Sequence, residues 1–192
     1  MARGFQRGRR GIRAKLDAHE KGVLAHLFVE VYELLDAHDG QASGEQDPLA
    51  VLVGIGTAVD APADPALARL LPDGHRDDPQ ASADFRRYTE LGLRERKRAG
   101  LETARVTLGR EGPLVLDDGE ARAWVVALTD VRLVLAERMG LRTEQDHERL
   151  REQAQDEDDG LVVMLSLYDF LTWLQETLVA ALVAPLRDLP ED

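Results

Sequence analysis

The sequence predicts a mainly α-helical fold, a single-domain helical bundle with a small N-terminal β element. Three observations carry that reading. Apolar residues recur at helical spacing over most of the chain, and strand-like alternation is confined to the first sixteen residues and a short run at 113–116. A length of 192 residues with 44% hydrophobic and 31% charged composition suits one ordinary core. No repeat or linker divides the chain convincingly, so the expected organisation is a basic arm or strand at 1–16 and one helical domain at 17–192.

The elements follow in order. Ile12, Ala14 and Leu16 alternate with Arg13 and Lys15, and Gly8 and Gly11 bracket a turn, which predicts a strand or small hairpin. Asp17 and Glu20 have capping-box spacing ahead of Leu24, Leu27, Phe28, Val31, Leu34 and Leu35, predicting a helix over 18–38. A polar loop is expected at 38–48 and a short helix from Pro48 to about Val53, then another from Pro65 to Leu71. Asp78-Pro79 is an N-cap followed by an N1 proline and opens a long helix to about Ala99 or beyond, which Gly92 and Gly100 weaken enough to allow a break near Gly100. Residues 113–116 read as a strand pairing with the N-terminal one. A strongly apolar helix then runs from 119 to 139 and stops at Gly140. Residues 143–155 read as weakly helical, 156–160 as an acidic turn, and 161–183 as a helix apolar except for Asp169, Thr172 and Glu176 and therefore the most buried. Helices 119–139 and 161–183 carry more apolar surface than one core of this size uses, which predicts a homodimer.

Composition closes several function classes. No apolar run reaches the roughly 18 residues of a membrane span, and no apolar stretch follows the basic N-terminus, so a cytoplasmic protein without membrane contact is expected. The absence of cysteine removes disulfides, thiolate metal sites and cysteine nucleophiles. Ser43, Ser82 and Ser166 stand outside any nucleophile-elbow motif, and Gly54-Ile55-Gly56 is a fragment of a dinucleotide loop without its third glycine. His26 with Glu30, the Asp73–Asp78 loop and Asp146-His147-Glu148 lack signature metal-ligand spacing and read as surface pairs and caps. No catalytic residue, metal ligand or cofactor is therefore expected, and Trp124 and Trp173, both on apolar helices, read as core.

Charge is more informative. The chain nets −12, yet Arg3, Arg7, Arg9, Arg10, Arg13 and Lys15 fall within its first fifteen residues, where there is no acid. A basic segment on an acidic body seeks phosphate or an acidic surface. On the long third helix, Arg86, Arg87, Arg94, Lys97, Arg98 and Arg105 fall within one arc of about 120°, along about 28 Å of axis. Together the twelve cations could neutralise phosphates along a duplex groove. Two other readings of the helix face stand beside that one. It could simply be solvated, since Glu90 lies within the arc, or it could be covered by the acids of 144–159.

Several segments carry a resemblance. Asp47-Pro48-Leu49-Ala50, Leu67 to Asp73, Asp84-Phe85-Arg86-Arg87-Tyr88-Thr89-Glu90, Ala123-Trp124 and Tyr168 to Glu176 resemble the actinobacterial oxidative-stress transcriptional regulator (AosR) family, formerly a domain of unknown function. The resemblance spans essentially the whole chain. It implies a cytoplasmic regulator that senses oxidation through a cysteine pair, binds promoter DNA and acts with a stress sigma factor on sulfur-assimilation genes. This chain has no cysteine, so that sensing route is closed to it. The expected function is a transcriptional regulator contacting promoter DNA through the basic arm and the basic helix face. The alternative is an acidic helical adaptor that binds a sigma factor or RNA polymerase without touching DNA.

Overall fold

A computed structural model of the chain describes residues 3–36, 61–75, 77–156 and 159–184. The loop expected at 38–48, the short helix at 48–53 and the Gly54-Ile55-Gly56 fragment lie outside these residues. Among those described, three strands and six helices follow in the order β1 (Arg3–Gly8), β2 (Gly11–Lys15), α1 (Ala18–Asp36), α2 (Pro65–Leu70), α3 (Pro79–Leu108), β3 (Leu114–Leu116), α4 (Asp118–Met139), α5 (Glu144–Asp156) and α6 (Asp159–Val183). No helix of the described residues is long and apolar enough to cross a membrane.

The hairpin and the strand at 114–116 form one antiparallel sheet in the order β1-β2-β3. Gly8 pairs with Gly11 across the two-residue turn Arg9-Arg10, and Ile12, Arg13 and Ala14 pair with Leu116, Val115 and Leu114. Gly11 is obligatory there. Its φ is +123°, and a Cβ would sit 2.5 Å from the carbonyl oxygen of Leu116.

The helix starts are chemically explicit. Asp17 and Glu20 each accept the other's backbone N–H at the start of α1, at 2.8 and 2.9 Å, and Asp117 and Glu120 repeat the arrangement on α4. Asp64 and Asp78 cap α2 and α3, each ahead of a proline in the first turn. Gly140, at φ +70°, ends α4 as expected.

Two expectations are corrected. The long helix does not break at Gly100: α3 runs unbroken for 30 residues. Gly100 faces the backbone of α4, where a Cβ would lie 3.7 Å from the carbonyl oxygen of Ala123, so packing against α4 supports the turn that glycine propensity weakens. Nor is the last helix buried all round. Leu171, Leu174 and Leu178 are fully buried, but Val162, Val163, Trp173, Val179 and Val183 are exposed, because α4 and the sheet cover only one side of α6.

The core centres on Trp124 of α4, fully buried and flanked edge-on by Phe5 of β1 and Phe28 of α1 at 5.6 and 5.4 Å. Its indole N–H donates to Thr107 Oγ1 at 2.7 Å, which satisfies the ring's polar atom. Leu24, Phe28, Val31 and Leu35 of α1 pack into the same core at the helical spacing the sequence shows. Each fully buried leucine contributes on the order of 2 kcal/mol of transfer free energy. Met139, Leu141, Leu150 and Leu165 form a separate small cluster between the end of α4, α5 and α6.

Candidate nucleic-acid interface

The basic N-terminal segment is a folded ribbon. Phe5, Ile12, Ala14 and Leu16 point into the core, so alternation sends Gln6, Arg13 and Lys15 to the other face, where all three are exposed. Register places Arg3 opposite Lys15 and Gln6 opposite Arg13, with Arg9 and Arg10 exposed at the turn. A Cβ on Gly8 would lie 2.9 Å from Arg13 Nε, so the bare glycine leaves room for that side chain. The exposed cations Arg3, Arg9, Arg10, Arg13 and Lys15 thus share one ribbon. The ribbon between Lys15 and the turn is about 13 Å long, against a major groove about 12 Å wide.

Arg7 is the exception in the ribbon. Its guanidinium donates to the carbonyl oxygens of Ala181 and Leu182 at 3.1 and 3.2 Å and to Asp118 Oδ1 at 2.5 Å. It ties the first strand to the last turn of α6, whose orphan carbonyls want a cation, and to the first turn of α4. The Arg7 hydrogen bond holds the Asp118 carboxyl below its ordinary range. The Arg7 guanidinium is therefore engaged within the fold.

Most cations of the long-helix face are also engaged within the fold. Arg86 is buried and paired with Asp73. Arg94 is buried, its Nε and Nη2 on Glu90 Oε1 at 3.0 and 2.7 Å and its Nη1 on the carbonyl of Leu35 at 2.7 Å. Lys97 meets the buried Asp130 at 2.5 Å. Burial pushes the Asp130 carboxyl up, against the opposing pull of Lys97. Arg98 bonds Asp36 at 2.9 Å and Tyr32 Oη at 3.0 Å, and its guanidinium stacks 4.8 Å from the Tyr32 ring. Only Arg87 and Arg105 of the six are exposed, and Arg105 holds Glu102. The physical reason is that this arc packs against α1 and α4, so its charges are neutralised internally. The spacing of Glu90 four residues before Arg94 is the sequence signal for such a pair. The acids of α5 do not cover the arc, because α5 packs on α6.

Other candidates resolve simply. His26 and Glu30 are an exposed pair 3.8 Å apart. Asp73 holds Arg86, Asp78 caps α3, and Asp146 accepts the N–H groups of Arg142 and Thr143. Among the described residues no three metal-ligating side chains come together. Ser82 is buried and bonds the backbone of His75. Trp124 is core as expected, but Trp173 is on the surface, 6.0 Å from the Phe170 ring. Gln6, a neutral amide, stands exposed beside the ribbon cations, and the alternation that buries Phe5 is the sequence signal that places it outward.

A family profile described as "Domain of unknown function (DUF2017)" matches residues 2–182. Proteins named "Oxidative stress regulator AosR" from Mycobacterium tuberculosis and Mycobacterium bovis are similar to the chain. Each is 32% identical over 186 residues, which cover 89% of this chain and 82% of the relative. No solved structure matches the chain.

Proposed function

The chain belongs to the family that carries the DUF2017 domain and includes the oxidative stress regulator AosR, and from that membership we propose that it regulates transcription by contacting promoter DNA through its N-terminal ribbon. One observation supports the ribbon over the rest of the surface. Arg3, Arg9, Arg10, Arg13 and Lys15 stand exposed on a segment with no acid before Asp17, whereas Arg86 and Arg94 of α3 are buried. A two-stranded ribbon enters a major groove without deforming it, and its cations gain affinity by releasing counterions from phosphates. The net charge of −12 works the other way, repelling the duplex wherever the ribbon does not lead.

The test is a salt titration of the purified protein against promoter DNA from its own genomic neighbourhood, beside a scrambled duplex of equal length. Tighter and salt-sensitive binding to the promoter is the expected result. Equal weak binding to both, or none, removes the DNA reading.

A second reading is favoured by the outer face of α6, where Val162, Val163, Trp173 and Val183 are exposed together on one helix. An adaptor would use that face to hold a sigma factor or RNA polymerase. Recovery of the same protein partner from nuclease-treated lysate, lost on Trp173→Asp, supports it. A second copy of the chain is the homodimer version, read by sedimentation over a range of concentrations.

A further inference from the structure

The inference concerns how a chain without cysteine responds to oxidant, and it rests on the oxidative-stress reading above. The chain has three methionines, and two of them, Met139 at the end of α4 and Met164 on α6, meet in one place. That place is the small cluster that seats α5. Met139 is 9% exposed and Met164 is half-buried, so Met164 is the more open of the two to peroxide. The seat is slight. Among the described residues, Leu150 is the only buried one that α5 contributes to the cluster, with Ala154 packed beside it. Polar attachment comes from His147 and Arg151, which both reach the single carboxylate of Asp169, at 3.4 and 2.6 Å.

We propose that Met139 and Met164 are oxidation sites and that their conversion to sulfoxide releases α5 from α6. The oxidant is a hydroperoxide. The thioether sulfur attacks its distal oxygen, an S–O bond forms as the O–O bond breaks, and sulfur gives up two electrons. The leaving oxygen takes the proton of the transferred one and departs as water or an alcohol. A sulfoxide oxygen is a strong acceptor and needs a donor. The cluster supplies aliphatic carbon and one hydroxyl, on Tyr168, which accepts from Arg132 at 3.2 Å and has a single O–H to give, one donor for two sulfoxides. An oxidised side chain therefore leaves the cluster for water, and α5 loses the apolar seat beneath Leu150. Reduction back to the thioether restores it, which makes the device reversible.

The experiment treats the full-length protein with hydrogen peroxide and reads two things: the 16 Da mass gain on peptides holding Met139 and Met164, and amide hydrogen exchange along the chain. Expected are oxidation at both sites and at least tenfold faster exchange over 144–154, with 121–135 unchanged and protection restored by methionine sulfoxide reductase. Met139→Leu with Met164→Leu keeps the volume and removes the sulfur, so α5 stays protected in peroxide. Met164→Leu alone serves if the pair does not fold. Unoxidised methionines, oxidation without faster exchange in α5, or an undiminished response in the leucine variants would overturn the proposal. The readout needs no DNA, so failure of the salt titration leaves it standing and its own failure leaves the DNA reading intact.

Discussion

Arg94 of α3 donates to the backbone carbonyl of Leu35, 59 residues earlier, at 2.7 Å. Helix α1 has no basic residue in its last turn, so its end is met from outside, Arg94 reaching the Leu35 carbonyl and Arg98 the Asp36 carboxylate. A cation that looks like a DNA contact in the sequence is thus the cap of another helix. Arg94→Ala would strand Glu90, whose Oε2 already accepts no hydrogen bond among the described residues, and free the carbonyl. The expected cost is about 3–5 kcal/mol in denaturant unfolding. Glu90→Leu with Arg94→Met should recover most of it, since both charges then leave together.

Replacing Arg9, Arg10 and Lys15 with alanine should make the slope of log K against log salt shallower by about 3 while leaving the unfolding midpoint in place. The same change at Arg87 and Arg105 on α3 should leave the slope where it was. A reversed pattern, measured by fluorescence anisotropy on the promoter duplex, moves the contact to the helix.

Two acids should respond to pH with opposite sign. For Asp64, burial pushes the carboxyl up, but the Arg138 bond and the N–H groups of Ala66 and Leu67 outweigh it and leave it below its ordinary range. Its contribution is present above pH 4 and is lost as pH falls through the depressed value, so the wild type should lose its advantage over Asp64→Asn in acid. Asp130 is raised by burial. The native state then binds the proton more tightly than the unfolded chain, so stability relative to Asp130→Asn should grow as pH falls from 7 towards 4. Urea unfolding at a series of pH values reads both.

Two glycines should also part company. A Cβ on Gly92 of α3 meets nothing within 4 Å, so Gly92→Ala should stabilise by about 1 kcal/mol through helix propensity. On Gly4 a Cβ would lie 2.7 Å from the Thr177 side chain that accepts the Phe5 N–H. Gly4→Ala should therefore destabilise by about 1–3 kcal/mol, read as a lower thermal midpoint.

The elements were legible because their signals are local. Asp17 with Glu20, Asp78 with Pro79, and Gly140 each act within four residues, and the structure has all three helix ends where these residues put them. The candidate surface was half legible. Alternation in β2 correctly sent Arg13 and Lys15 outward, since the sheet has only one buried face. For α3 the arc was a true geometric fact, but whether it faces water or another helix depends on where α1 and α4 lie, and periodicity carries no such information. Arg7 illustrates the same limit: its partners are the carbonyls of Ala181 and Leu182, more than 170 positions away.

That last distance bears on how the protein is made. A ribosome delivers β1 well before α6, so Phe5 and Arg7 must wait for more than 170 further residues before Thr177, Ala181 and Leu182 arrive. Until then the strand has no helix covering it and its aromatic ring has an incomplete pocket. A nascent chain stalled before residue 177 carries its basic hairpin without the helix it is anchored to.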